Sequence, residues 1–177
     1  MGPGPGIACA ITLNSALTPA EQAIYQDPAV IQRLLDGART IAVVGLSADP
    51  QKASWIVASY LQKEGYRIIP VNPRADRILG EKAYPDLGRV PVPVDLVDVF
   101  RPAAECLEVA RQAVAIKARA LWLQLRIVNL EAAELAARAG LDVVLDRCVK
   151  MEHARYHGRL HWGGMNTEII SARKARR

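Results

Sequence analysis

Residues 40–54 read TIAVVGLSADPQKAS, and this stretch decides the fold class. From Thr40 to Leu46 the chain is an apolar run rich in β-branched residues. Such a run marks a strand buried on both faces of a parallel sheet. Gly45 stands where the strand must turn tightly, and glycine reaches backbone angles closed to other residues. A helix-like segment follows from Ser54 to Glu64 and is closed by Gly65. Strand, glycine turn and helix make the first half of a βαβ unit.

Working outward toward the C-terminus, the same alternation repeats. A second strand is expected at RIIPV (67–71), a third at VDLVDVF (94–100), a fourth at ALWLQ (120–124) and a fifth at LDVVLD (141–146). Helices are expected at 103–117 and at 131–139, the latter ended by Gly140. Strands alternating with helices of this length predict right-handed parallel crossovers. Toward the N-terminus, Thr18-Pro19-Ala20-Glu21 carries a capping-box pattern, and Asp27-Pro28 repeats the cap-plus-proline signal. The pairs Val30/Ile31 and Leu34/Leu35 then mark one buried helix face that stops at Gly37. The fold class is α/β: a Rossmann-like, doubly wound five-stranded parallel sheet with flanking helices. Residues 1–17, rich in Gly and Pro, are expected to be disordered; 18–155 form the domain and 156–177 a basic tail.

Composition agrees with one globular domain plus appendages. The chain has 177 residues and 19.3 kDa, of which 51% are hydrophobic and 23% charged. No apolar run approaches the about 20 residues needed to cross a bilayer. The opening MGPGPGIACAITLNS has no basic segment, and Gly6 fails the myristoylation pattern, so a cytoplasmic location is expected. Cys9, Cys106 and Cys148 show no CxxC spacing, which argues against a disulfide framework or a Cys-rich zinc site. The net charge of +5 is uneven: residues 150–177 hold seven basic and two acidic residues, whereas 1–149 hold 16 of each. The body is neutral, and the excess ending in ARKARR reads as a solubilising tail, with contact to nucleic acid or an acidic surface as the other reading.

In doubly wound folds, ligands bind outside the carboxyl ends of the strands where the strand order reverses. That rule selects GLSADPQKAS (45–54), NPR (72–74), Arg101-Pro102, QLRIVN (124–129) and DRC (146–148). In the first loop Gly45 permits the turn, Ser47 offers a hydroxyl, Lys52 a cation and Ser54 a helix N-cap. Free amides at that helix start make a diphosphate cradle. The loop is not the dinucleotide fingerprint, because Ser47 and Pro50 stand where GxGxxG requires glycine. NAD-binding sheets usually end the second strand with an acidic residue; here stand Asn72, Pro73 and Arg74, which suit a phosphorylated ribose as in NADP or coenzyme A. Arg101 supplies a second candidate phosphate clamp. Asp98, inside the apolar third strand, is expected to accept hydrogen bonds from backbone amides or neighbouring hydroxyls. Gln124 and Asn129 sit at the rim, the latter as a helix cap.

Together GLSADPQKAS, YRIIPVNPRADRILGEKAYPDL (66–87), VDLVDVFR (94–101), WLQLRIVNLEAAELA (122–136) and GLDVVLDRCVKMEH (140–153) carry a family resemblance. Over roughly residues 25–155 the chain resembles the small stand-alone CoA-binding domain proteins. These are similar to the CoA-binding Rossmann domain of the succinyl-CoA synthetase α subunit and of ADP-forming acyl-CoA synthetases. The resemblance implies loops that hold the phosphate-bearing end of coenzyme A or acyl-CoA. The residues it assigns are Gly45, Ser47, Lys52 and Ser54 in the first loop, Asn72 and Pro73 in the second, and Arg101 after the third strand; Leu46, Ala53, Arg74 and Gln124, in the same strand-end loops, complete the candidate cofactor-binding set. Two positions depart from the family pattern: Ala53 replaces a common proline, and Arg126 replaces the glycine of a QLG run.

Ligases of that superfamily carry further domains with a phosphorylated histidine and a nucleotide-grasping module, so a complete ligase is not expected. His153, His157 and His161 have the HxxxHxxxH spacing of one helix face, a metal-site pattern that Gly158, Gly163 and Gly164 interrupt. Cys148 reads as a half-buried structural thiol, or as a residue able to form a mixed disulfide with the CoA thiol. The expected function is non-catalytic capture of CoA or acyl-CoA, with no membrane or nucleic-acid partner and with a protein partner or homodimer left open. The alternatives are an NADP-dependent oxidoreductase and an interaction module acting through the basic tail.

Overall fold

A computed structural model describes residues 17–157. Residues 1–16 of the 1–17 segment expected to be disordered, residues 158–177 of the 156–177 tail, Cys9 and His161 lie outside the described residues; Leu17, expected to be disordered, is ordered and buried in the core.

Two short helices open the chain, α1 (Pro19–Tyr25) and α2 (Pro28–Gly37). Both start as their caps dictate. The Thr18 hydroxyl accepts the Glu21 amide while the Glu21 carboxylate accepts the Thr18 amide, and Asp27 accepts the Ala29 amide. The sheet strands are β1 (Thr40–Val44), β2 (Arg67–Val71), β5 (Leu96–Val99), β6 (Ala120–Leu123) and β7 (Asp142–Val144). A small hairpin, β3 (Arg77–Ile78) with β4 (Glu81–Lys82), stands apart from them. Between strands run α3 (Ala53–Lys63), α4 (Cys106–Ala115) and α5 (Leu130–Arg138), and α6 (Val149–His157) follows β7.

The sheet order is β2-β1-β5-β6-β7 and every pairing is parallel. From β1 the chain goes to β2 on one side, then returns to place β5 on the other. The order therefore reverses between β1 and β5, and the carboxyl ends of these strands flank the switch-point crevice. Strand side chains alternate between two cores. Ile41, Val43, Leu96, Ala120 and Trp122 pack under α2, α3 and α6, whereas Ala42, Val44, Val97, Val99, Leu121 and Leu123 pack under α4 and α5. Fully buried strands of this kind read as continuous apolar runs because neither face is wet. The β7 edge of the sheet is closed beyond the strand: the Leu145 backbone amide donates to the Tyr25 carbonyl at 3.2 Å, and the Gln26 side-chain Nε2 donates to the Leu145 carbonyl at 3.0 Å.

The expected elements are present, the later strands with trimmed ends and the helices expected at 54–64 and 131–139 each shifted one residue earlier; the helix expected at 103–117 begins as a 3-10 turn over Ala103–Glu105. Two features were not foreseen. The β3–β4 hairpin folds back so that Tyr84 bridges to Val71, donating to the Pro70 carbonyl and accepting from the Asn72 amide. Helix α6 crosses the expected domain limit at 155 and stops at His157, just before Gly158.

Candidate functional site

At the carboxyl end of β1, Gly45 has φ +85°, in the left-handed region where side chains are strained. A Cβ there would lie 2.8 Å from Arg101 Cδ and 3.1 Å from the Phe100 carbonyl oxygen. The turn is thus pressed against the segment leaving β5, and only glycine fits. Leu46, next in the chain, is fully buried and anchors the loop in the core under α3.

The rest of the loop satisfies itself. The Ser47 amide donates to the Ser54 hydroxyl at 3.0 Å, the Ser47 hydroxyl accepts the Asp49 amide, and Asp49 accepts the Gln51 amide. Ser54 is consequently not the helix cap expected of it. Lys52 occupies the N-cap position without a side-chain cap bond, and Ser54, two residues further in, points its hydroxyl back at the loop. The consequence favours anion binding. The amides of Ala53, Ser54 and Trp55 at the start of α3 have no partner among the described residues, and no side chain competes for them. Ala53 and Lys52 are both exposed beside them. Alanine at 53 keeps an amide that a proline there would lack.

Asn72 is a brace between loops. Its side-chain amide donates to the Leu46 carbonyl at 2.8 Å, and its carbonyl oxygen accepts the Arg74 amide at 2.8 Å. This leaves Pro73 and Arg74 exposed at the rim with the Arg74 guanidinium free to reach a ligand. Arg101 stands over Gly45, but its guanidinium is held by Glu105, Nε at 2.7 Å and a terminal nitrogen at 2.8 Å from the two carboxylate oxygens. A phosphate would have to displace a half-exposed carboxylate.

Gln124, expected at the rim, is buried beneath it, and its amide donates to Asp98 Oδ1 at 2.6 Å. Asp98 also accepts from the Val99 backbone amide, as one of the two expected partner types; its other partner is the Gln124 amide rather than a hydroxyl. Its Oδ2 is buried with no hydrogen-bond partner among the described residues. Burial pushes the carboxyl from its ordinary 3.8 up to about 7, against the pull of those two hydrogen bonds. Asn129 caps α5 as expected, accepting from the Ala132 amide at 2.8 Å.

Arg126 has φ +65°, a left-handed conformation that glycine adopts more readily, and its amide donates to Asp146 at 2.6 Å. Arg126 itself is exposed. Cys148 sits half-buried at the start of α6, where the Lys150 and Met151 amides point at its sulfur; burial still pushes the thiol up. Cys106 is buried in the other core and its thiol is pushed up to about 11 by burial. His153 and His157 stack on one face of α6 with ring centroids 4.7 Å apart, as their spacing implied. Both are engaged elsewhere: His153 Nδ1 lies 3.0 Å from the Tyr60 hydroxyl, and His157 Nε2 lies 3.2 Å from Asp36. Among the described residues no three metal-ligating side chains converge, and no helix is long and apolar enough to cross a membrane.

The sequence alone gave no sign of three contacts: the Ser47–Ser54 link, the Asn72 brace and the Asp98–Gln124 pair. The Glu105 hold on Arg101 did leave a signal, because opposite charges four residues apart face each other at a helix start.

The family described as "CoA binding domain" matches residues 39–154. Uncharacterized protein YneT of Bacillus subtilis is 40% identical over 126 residues, 71% of this chain and 93% of its own length. A solved structure of a hypothetical protein from Pyrococcus horikoshii superposes with a TM-score of 0.71 at 36% identity, covering 73% of this chain and 91% of that one. The α subunit of an acetate–CoA ligase (ADP-forming) from Pyrococcus furiosus is 38% identical over 65 residues, 36% of this chain and 14% of the ligase subunit.

Proposed function

The chain belongs to the CoA-binding domain family, and on that footing we propose that it captures coenzyme A or an acyl-CoA at the β1/β5 switch point without transforming it. The observation that carries the reading is the Gly45 turn. Its missing Cβ lets the loop approach β5, and the loop leads into α3, whose first three amides have no partner among the described residues. A helix start of this kind favours a diphosphate through both its N–H groups and its dipole. The residues fit such a group: the Ala53, Ser54 and Trp55 amides with Lys52 would hold the diphosphate. Arg74 and Arg101 would take the additional ribose phosphate that separates coenzyme A from ADP.

Binding without turnover is supported by what the polar groups of the loops already do. The Ser47 and Ser54 hydroxyls are tied to backbone amides within their own loop, and His153 is turned to Tyr60 between α3 and α6. Calorimetric titration with coenzyme A, dephospho-CoA and ADP tests the reading. Coenzyme A should bind tightest, by about tenfold over dephospho-CoA, the worth of one charge-assisted phosphate contact. Equal affinity for all three would remove Arg74 and Arg101 from the site, and no heat with coenzyme A at about 1 mM would remove the proposal.

A further inference from the structure

A second polar cleft opens between the first turn of α2 and the outer face of α6. Its volume is about 410 Å³, within the range of small-molecule sites, and its lining includes Gln32, Arg147, Glu152, Arg155 and Tyr156 over an apolar floor at Ile31. None of these residues belongs to the β1/β5 crevice.

The charges in the cleft do not balance. Glu152 is 3% exposed and faces two guanidinium groups, Arg155 at 3.2 Å and Arg147 at 3.8 Å. One carboxylate between two cations leaves one positive charge uncompensated by the residues lining the cleft. Arg155 is itself only 12% exposed, so that charge is poorly hydrated. The contact from Arg147 is long, and its Nε is buried with no acceptor among the described residues. An unpaired buried N–H on a cation is costly unless an acceptor reaches the group. Arg147 cannot swing away to find one in solvent through its backbone, because the Trp122 indole N–H holds the Arg147 carbonyl at 2.7 Å from the core. The start of α2 is not the attractor, since Asp27 already caps the Ala29 amide.

We propose that this cleft is a second ligand site, one that takes the carboxylate or phosphate group of a small metabolite between Arg147 and Arg155. The incoming oxyanion supplies the missing negative charge and the acceptor oxygens that Glu152 alone does not. Planar guanidinium groups grip both kinds of oxyanion through paired N–H donors. Gln32, exposed at the mouth, and the Tyr156 ring frame whatever the oxyanion is attached to.

The test is titration of the full chain with inorganic phosphate and, separately, with succinate, in a Tris chloride buffer free of multivalent anions. At least one should bind in the millimolar range or tighter, and the stronger of the two identifies the source of the oxyanion. Gln32→Glu places a carboxylate at the mouth on an exposed position that carries no folding burden; it should weaken binding about tenfold. Arg155→Leu should abolish it, and because that variant strips a buried carboxylate of a partner, its melting curve is recorded beside the titration. Lys52→Ala, in the β1–α3 loop that is itself an anion cradle, should weaken only phosphate held in that loop and leave unchanged the phosphate or succinate binding that Gln32→Glu weakens. The proposal is overturned if neither anion binds at about 10 mM, if Gln32→Glu has no effect, or if Lys52→Ala removes that same binding. Coenzyme A titration of Gln32→Glu keeps the two sites apart: an unchanged affinity there with lost phosphate or succinate binding is the expected pair of results.

Discussion

The two loops that flank the switch point are built on opposite plans. After β1, the chain spends its side chains on itself: Ser47, Ser54 and Asp49 satisfy backbone amides within the loop, and Asn72 braces it from β2. What remains for a ligand is backbone, the open start of α3. After β5, the group proposed to meet the ligand is a side chain, Arg101, and it is already held by Glu105. A backbone cradle costs no rearrangement when an anion arrives, whereas a paired arginine must exchange one carboxylate for a phosphate. The first loop should therefore set whether coenzyme A binds, and the second how well its extra phosphate is distinguished.

The largest break in that contrast comes from Gly45→Val. The new side chain would meet the Phe100 carbonyl and Arg101 Cδ inside contact distance, at a φ that β-branched residues do not adopt. Coenzyme A affinity should fall at least about a hundredfold, with a loss of stability of about 1–3 kcal/mol from the strained backbone. Calorimetry paired with a denaturation curve checks both. If the valine variant binds within about twofold of wild type, the turn is not the cradle.

A second test reaches into β5 itself. Asp98 keeps its proton to about 7 in the fold but to about 3.8 when unfolded, so between those values the native state holds more protons than the unfolded chain. Stability from this group is therefore present below about pH 4 and is lost as the pH climbs to about 7. Asp98→Asn removes the titration while keeping an acceptor for Gln124. Any packing cost of the amide is the same at every pH, so the informative quantity is the slope. The variant's stability relative to wild type should rise by up to about 4 kcal/mol between pH 4 and pH 8. Parallel stability-against-pH curves for the two proteins would show that Asp98 is solvated or partnered in a way its buried Oδ2 does not suggest.

These loops also mark where the sequence was readable. The strands were legible because burial on both faces leaves runs such as TIAVV and LVDV with no polar alternation, and the helix starts because Thr18, Asp27 and Asn129 are local caps. The switch point followed from connectivity alone. Ser54 was misread because a serine two residues into a helix looks, in sequence, like a serine at its edge; only the Ser47 amide reaching back decides between them. Gln124 was placed on the rim because its strand ends there, yet Asp98, 26 residues away, draws it inward. Helix α6 was hidden by the polar segment KMEHARYH, whose burial comes from Glu152 and His153 meeting Arg147, Arg155 and Tyr60 rather than from an apolar stripe. Pairings across long sequence distances leave no local period to detect.

The smallest expected effect sharpens the contrast most. Glu105→Gln removes the charge that holds Arg101 and keeps the side chain's length. Both partners are nearly half exposed, so their pairing is worth no more than about 1 kcal/mol, and releasing it should tighten coenzyme A binding about two- to fivefold. Dephospho-CoA separates the two explanations for such a gain. If Arg101 reads the extra phosphate, only coenzyme A improves; if the loss of Glu105 merely makes the crevice more positive, both ligands improve together. The gain should also shrink in high salt, because an exposed pair is screened while the amides at the start of α3 keep their geometry. A coenzyme A affinity that stays level in Glu105→Gln would mean that the β5 loop contributes shape, through the contact of Arg101 with Gly45, and no charge.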